Sequence, residues 1–163
     1  MQPHGMPRNE YSIMRRLIRE IDGVQLYSLQ KSGADGRPKV PIRGMDIIDY
    51  MEEVRDFADT AALIENLDLV ISVDTAVLHV AGAMGKQAWA LLPYAPDWRW
   101  MLNRNDSPWY PTMTLFRQPM FGDWESVLKG VAQVLQEEIA MQKNETFGTS
   151  FGTSLQTEGE PDR

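Results

Sequence analysis

Residues 68–92 read DLVISVDTAVLHVAGAMGKQAWALL, and this stretch sets the fold. DLVISV (68–73) and QAWALL (87–92) are too uniformly apolar to alternate, so each predicts a strand buried on both faces, as in a parallel sheet. Between them, AVLHVAGAM (76–84) predicts a packed helix that ends at Gly85. Buried strands that alternate with helices are typical of an α/β domain with a parallel sheet.

The same alternation continues on both sides of this stretch. Further strands are predicted at VQLYSL (24–29), MDIIDY (45–50) and TLFRQ (114–118), and further helices at 10–21, 56–67 and 123–140. Residues 30–44 and 93–113 are predicted to be loops, the second with one turn of helix. From residue 141 the chain is polar and repeats FGTS, so residues 1–140 are predicted to form the domain and 141–163 a flexible polar tail.

Composition narrows the functional classes. The 163 residues suffice for one domain with a core, and no apolar run approaches the roughly 20 residues of a membrane span. With 16 basic and 23 acidic residues the net charge is −7, which argues against nucleic-acid binding. Two histidines, no cysteine and no Asp-X-Asp pair argue against a metal site. The amino terminus has no signal-peptide pattern, so a cytoplasmic location is expected.

The junction of strand 68–73 and helix 76–84 is the first candidate site. Ligands of parallel sheets lie beyond the carboxyl ends of the strands, where helices begin with unpaired N–H groups and a positive dipole end. Thr75 can add a hydroxyl donor, and His79, four residues on, lies on the same side of the helix. Alternatively, Asp74 or Thr75 caps the helix and His79 is a half-buried histidine whose hydrogen bonds are satisfied. Spacing alone leaves both interpretations open.

Two other groups lie at the same predicted edge. Gln30 and Lys31 directly follow strand 24–29, where a lysine can supply positive charge to a diphosphate or can be a solvated loop residue. A carboxylate at the start of helix 56–67 can hold ribose hydroxyls or cap the helix. The candidates at that helix start are Asp56, Phe57, Asp59 and Thr60.

Several motifs, in order, resemble the carboxyl-terminal half of bacterial glycosyltransferases. They are LYSLQK (26–31), RDFADTAALIENLDLVISVDTAVLHVAGAMGKQAWALLPYAPDWRW (55–100), SPWYP (107–111) and LFRQ (115–118). They are most similar to the O-linked N-acetylglucosamine transferase-like proteins that often carry tetratricopeptide repeats. The lipopolysaccharide heptosyltransferases share the Asp-Thr…His element.

The resemblance implies the second domain of a GT-B fold, a Rossmann-like parallel sheet with helices on both faces that binds a nucleotide sugar, most simply a UDP-sugar. It also implies that the diphosphate is held without a metal and that the DFADT segment meets the nucleoside. The residues that match the diphosphate element are Gln30, Lys31, Asp74, Thr75 and His79.

The resemblance also places the catalytic base in a first domain that this sequence does not contain, and the first strand of the second domain is not evident in it. The chain is therefore expected to transfer no sugar alone, and to need that domain or a second copy of itself as a partner. Two alternatives stay open: a non-catalytic nucleotide-binding or regulatory module, and a truncated remnant.

The loop PDWRWMLNRNDSPWYP (96–111) has two interpretations. Its tryptophans can cover the core, as is usual for so many in a short loop. They can instead line an acceptor cleft, because aromatic faces stack on sugars and an arginine can meet a phosphate. The candidates for the cleft are Trp98, Arg99 and Trp100.

Overall fold

The computed structural model describes residues 21–30 and 46–151, with side chains described as far as residue 144. This part of the chain forms five strands, three helices and one short 3₁₀ turn. The elements are β1 (Leu26–Ser28), β2 (Ile47–Asp49), α1 (Phe57–Glu65), β3 (Val70–Val73), α2 (Ala76–Ala83), β4 (Ala88–Leu92), the 3₁₀ turn (Trp98–Trp100), β5 (Met113–Arg117) and α3 (Trp124–Phe151).

All the strand pairs named here are parallel. β1 pairs with β2, with Leu26 opposite Ile47. The second sheet has the order β3-β4-β5, in which Val70 lies opposite Ala88, and Ala88 opposite Met113. Parallel strands require crossover connections, and α2 provides the one between β3 and β4. β4 is central and all five of its residues are buried.

The three-stranded sheet separates two apolar cores. Alternate residues of β4 point to opposite faces. Ala88, Ala90 and Leu92 join the core beneath α1 and α2, whereas Trp89 and Leu91 join the core beneath α3. The α3 residues of the second core are Trp124, Val127, Leu128, Val131, Ala132 and Leu135. Helices therefore cover both faces of this sheet.

Helix ends follow from local chemistry. Asp56 caps α1, where its carboxylate accepts hydrogen bonds from the N–H groups of Ala58 and Asp59 at 2.9 and 3.0 Å. Past the end of α2, Gly85 has a φ of +69°, a left-handed conformation that glycine adopts without a steric cost. The α3 amino terminus is held by Asp123, which accepts from the N–H and the hydroxyl of Ser126.

The structure confirms the predicted fold class, an α/β fold with parallel strands and helices. Each predicted strand is present within two residues at either end, and α1 and α2 match equally well. The last helix is longer than predicted, since α3 continues to Phe151 rather than ending at residue 140. Helix 10–21 falls outside the described residues except for Ile21, which is buried without being helical. Residues 152–163 of the predicted flexible tail also lie outside the described ranges, and that flexibility stays a prediction.

Among residues 21–30 and 46–151, no helix combines the length and the apolar character that crossing a membrane would need.

Candidate functional site at the start of α2

Asp74 lies at the centre of a hydrogen-bonded cluster where β3 gives way to α2. Its Oδ1 pairs with Nε2 of His79 at 3.2 Å, and its Oδ2 accepts from the indole N–H of Trp100 at 2.9 Å. The Asp74 side chain keeps 17% of its exposure, so much of the carboxylate is removed from water. Burying a charge in this way is favourable only when it is hydrogen-bonded, and these two donors meet that requirement.

His79 uses both of its ring nitrogens inside this cluster. Nδ1 lies 3.0 Å from the hydroxyl of Tyr110, and Nε2 faces Asp74. The imidazole also stacks on Trp100, with ring centroids 5.6 Å apart and planes 21° apart. With Nε2–H donating to the carboxylate, Nδ1 accepts a hydrogen bond from the Tyr110 hydroxyl. The histidine is thus half-buried and satisfied, as one sequence interpretation held.

The first turn of α2 has no side-chain cap. Thr75 occupies the cap position with extended backbone, but its hydroxyl lies 3.0 Å from the Ser72 hydroxyl and does not bond to the helix. The Asp74 carboxylate is turned to His79 and Trp100. Because Thr75 and Ala76 are exposed, this helix end is open to solvent. Thr75 is therefore the N-cap residue by position, but neither Asp74 nor Thr75 caps the helix through its side chain. The first-turn N–H groups, which favour an anion, stay open.

A pocket of about 430 Å³ adjoins the cluster. It is lined by His79, Trp98, Arg99, Trp100, Trp109 and Tyr110. Trp100 is 1% exposed and belongs to the core, whereas Trp98 and Trp109 are 74% and 55% exposed. The core-cover interpretation of the aromatic loop therefore holds for Trp100 but not for the other two.

The chain is similar to a known protein family over the part that contains this site. Residues 55–120 match glycosyltransferase family 9 (heptosyltransferase). The chain is also 35% identical over 82 residues to Protein FlbA of Caulobacter vibrioides, a stretch that covers 50% of this chain and 13% of FlbA. The chain thus spans a small part of the length of this curated relative. No solved structure gives a significant match.

The glycosyltransferase family 9 match contains the whole cluster around Asp74 and every residue of the pocket. It also contains the start of α1, but it leaves out Gln30 and Lys31. The family similarity therefore covers α1, α2 and the whole three-stranded sheet, together with the loop between β4 and β5.

The four candidates at the start of α1 have different environments. Asp56 caps the helix, as one interpretation held. Asp59 accepts from Nε and the backbone N–H of Arg55, and the side-chain bond is the main reason that the pKa of Asp59 lies below its usual range. Thr60 is buried and donates its hydroxyl to the Asp56 carbonyl at 3.0 Å. Phe57 is 63% exposed, so its ring is open to a ligand.

Gln30 follows β1 and is exposed. Its backbone N–H lies 3.4 Å from the Ser28 hydroxyl, and the structure does not bring its side chain into the Asp74 cluster. Lys31 lies outside the described residues. The predicted convergence of this pair with Asp74, Thr75 and His79 therefore stays a prediction.

Sequence reasoning missed two residues of the site. Tyr110 was recognised only as part of the SPWYP motif, although its hydroxyl orients His79 across 31 positions of sequence. Gly82 lies under the Tyr110 ring, and a Cβ there would be 2.5 Å from Cγ of that ring. A glycine in the middle of a predicted helix was the available signal for such a close approach.

The site carries no obvious ligand set for a metal. Within the described ranges, no three or more His, Cys, Asp or Glu side chains are grouped so that they could share an ion.

Proposed function

We propose that the chain is the donor-binding part of a glycosyltransferase and that it holds the diphosphate of a nucleotide sugar at the amino terminus of α2. The observation that carries this proposal is the open first turn of α2, where the side chain of the N-cap residue, Thr75, makes no hydrogen bond to the helix. The match of residues 55–120 to glycosyltransferase family 9 supports it, because sugar transfer from a nucleotide donor releases a diphosphate.

Sugar transfer from a nucleotide donor is accelerated by positive potential and N–H donors placed where negative charge develops on the leaving diphosphate. The α2 amino terminus supplies both, and the exposed Thr75 hydroxyl can add a donor. Asp74 is kept from repelling the phosphate because its two oxygens are engaged by His79 and Trp100. His79 can reach a phosphate itself only after Nδ1 releases the Tyr110 hydroxyl. No metal is part of this proposal.

The finer assignments extend this proposal along the same edge of the molecule. Gln30 and Lys31 would meet the second phosphate, and the exposed ring of Phe57, beside Asp56, would meet the nucleoside, most simply uridine. Trp98 and Arg99, with Trp100 at the floor of the pocket, would border the acceptor cleft. The proposal includes a relationship to the O-linked N-acetylglucosamine transferase-like enzymes that are associated with tetratricopeptide repeats. It also includes that this chain corresponds to the carboxyl-terminal half of such an enzyme.

We also propose that the chain does not transfer sugar alone and that it acts in the cytoplasm. A catalytic base and the second wall of the cleft would come from a first domain or from a partner chain, because catalysis requires donor, acceptor and base to be held in one geometry. Sustained transfer by the purified chain would contradict this part of the proposal and leave the donor-binding part intact.

The decisive experiment is a titration of the purified chain with UDP by calorimetry, once with magnesium and once with a chelator. Binding of equal strength in both is expected. Thr75→Asp places a carboxylate at the cap position, where it competes for the first-turn N–H groups and repels the diphosphate. Because a lost charge-assisted hydrogen bond is worth roughly 1.5–3 kcal/mol, the variant should bind UDP at least about tenfold more weakly.

Gln136→Glu is the matched control, since it adds the same charge on the exposed face of α3. It should leave UDP affinity unchanged. The proposal fails if UDP does not bind at millimolar concentration, or if Thr75→Asp binds UDP as tightly as the Gln136→Glu control does.

A further inference from the structure

The two parallel sheets lie in one layer of the molecule. Val24, two residues before β1, packs in the core beneath α3 together with Ile71 and Val73 of β3. Leu29, directly after β1, packs instead against the core beneath α1 and α2, which contains Val70 of β3. Residues five positions apart on an extended chain point to opposite faces. β1 and β3 therefore separate the same two cores, as strands of a single sheet do.

This layer is interrupted between β1 and β3. β1 pairs with β2, and β3 pairs with β4, but among the described residues no hydrogen-bonded ladder joins β1 to β3. Their Cα atoms lie, with at most isolated exceptions, more than 8 Å apart, whereas neighbouring strands are about 4.8 Å apart. One strand placed between them would set a spacing of roughly 9–10 Å. The gap is therefore too wide for direct pairing, while the shared cores keep it narrow.

β3 presents unpaired backbone groups to this gap. The N–H of Val70 donates to the Gln87 carbonyl at 3.0 Å, so Val70 and Ser72 direct their backbone groups to β4. Alternate residues of a strand direct these groups to opposite neighbours. The N–H groups of Ile71 and Val73 therefore point to the side away from β4, where no other described residue accepts a hydrogen bond from them. An open edge of this kind pairs readily with another strand.

The strands on either side of the gap lack the residues that usually protect an edge. β3 is VISV and β1 is LYS, with neither a charged residue nor a proline. β2 and β5, on the far sides of the two sheets, carry the charged residues Asp49 and Arg117. Three of the four β3 residues are only half-buried, whereas all five residues of β4 are buried. β3 therefore has the sequence of an interior strand and the exposure of an edge strand.

We propose that the gap between β1 and β3 is a docking site for one extended, apolar segment of a second polypeptide, which enters as a strand and joins the two sheets. Backbone hydrogen bonds to both edges hold the segment, and its alternate side chains enter the two cores. Because both of its faces are covered, the segment is uniformly apolar, as β4 is. Nothing in this docking site requires a ligand at the start of α2.

The sequence itself argues that this chain does not supply the strand. Residues 1–20, 31–45 and 152–163 contain no three consecutive apolar residues that are free of proline. Proline removes a donor from the ladder and is excluded from interior strands. A second copy of the chain has the same sequence and no spare segment either. The occupant is therefore a different polypeptide.

The test adds to the purified chain a synthetic peptide with the centre Val-Ile-Val-Ile and lysines at both ends for solubility. Amide hydrogen exchange, followed by NMR, should slow about threefold to tenfold at Ile71 and Val73 at saturating peptide, because each N–H gains a hydrogen bond. Val70 and Ser72 are internal controls, since their backbone groups already face β4, and they should change little. One alternate set of β1 amides should slow as well, because the inserted strand pairs on both sides.

Two N-methylated versions of the peptide serve as matched controls. Each keeps the side chains and the charge but lacks the N–H donors along one edge of the strand. Since insertion uses both edges, each version should bind at least about tenfold more weakly. Val73→Pro removes an N–H that faces the gap, a place where a strand tolerates proline, and should weaken peptide binding. Val73→Thr keeps that N–H and the branched shape, and should bind the peptide as the unmodified chain does.

Several results would overturn the docking site. One is unchanged exchange at Ile71 and Val73 with millimolar peptide. A loss of binding with only one of the N-methylated peptides would mean pairing on a single open edge rather than insertion. Slow exchange at both residues in the free chain would also overturn it: the gap would be closed by a second copy if the protection rises with protein concentration, and by the chain itself if it does not.

Discussion

Gly82→Ala tests the packing on which the site depends. A Cβ at this position would lie 2.5 and 2.7 Å from Cγ and Cδ1 of Tyr110 and 3.0 Å from Cε of Met113. The first two distances are far inside van der Waals contact, and the Tyr110 ring, which is partly buried and hydrogen-bonded to His79, cannot give way as a flexible side-chain end can. Overpacking of this kind costs roughly 1–3 kcal/mol.

Two smaller effects modify that figure. Replacing a mid-helix glycine by alanine stabilises the helix by about 0.5–1 kcal/mol, which offsets part of this cost. Moving the Tyr110 ring breaks its hydrogen bond to His79, which costs about 0.5–1.5 kcal/mol. The net expectation is that the free energy of unfolding falls by roughly 1–3 kcal/mol, which lowers the melting temperature by about 2–4 °C per kcal/mol for a chain of this size.

Gly130→Ala is the matched comparison, since it makes the same change inside α3. There the added Cβ would be 3.9 Å from Cδ1 of Phe116, an ordinary contact, so the variant should gain about 0.5–1 kcal/mol. Urea unfolding followed by circular dichroism measures both variants. Nitrogen chemical shifts of the His79 ring report whether Nδ1 has lost its partner. A Gly82→Ala protein as stable as Gly130→Ala, with unchanged His79 shifts, would refute the close packing of Tyr110 on α2.

Three other predictions concern single interactions. Trp100→Phe removes the indole N–H that donates a hydrogen bond to the Asp74 carboxylate. The free energy of unfolding, measured by urea titration, should fall by about 1.5–3 kcal/mol, and an unchanged midpoint would contradict the role of that bond. Asp56→Ala should cost about 1 kcal/mol by loss of the α1 cap, whereas Asp56→Asn should cost much less; equal losses would point to charge rather than capping. Asp123 has its pKa lowered mainly by the Ser126 hydroxyl, so its stabilisation is present above the usual aspartate value of 3.8 and is lost as the pH falls below it. Asp123→Asn should therefore flatten the acid limb of the stability curve below pH 3.8, and an unchanged limb would rule this out.

The fold could be predicted because its strands and helices are encoded by local sequence patterns. Uniformly apolar runs predicted β3 and β4, because strands in the interior of a parallel sheet are covered on both faces. The end of α3 was placed too early because residues 141–151 are polar, and polarity alone does not stop a helix that has already formed.

The predictability of the site was lower because its contacts are distant in sequence. Asp74 could be placed at the carboxyl end of β3, but its partner Trp100 is 26 residues away, and Tyr110 is 31 residues from His79. Nothing in the loop sequence separates Trp100, which is buried, from Trp98, which is exposed two positions earlier. That difference is set by the 3₁₀ turn, which directs one ring into the core and leaves the other in solvent.

The sharing of one carboxylate by two rings has a thermodynamic consequence. Asp74 gives one oxygen to His79, beside the start of α2, and the other to Trp100, at the floor of the aromatic pocket. A ligand that reorients either ring changes the hydrogen bond that holds the other. The occupancies of the two places are then linked, and linkage is reciprocal: whatever factor one ligand imposes on the affinity of the second, the second imposes on the first. If both places bind ligands as proposed, Asp74 couples them, together with the direct stacking of His79 on Trp100.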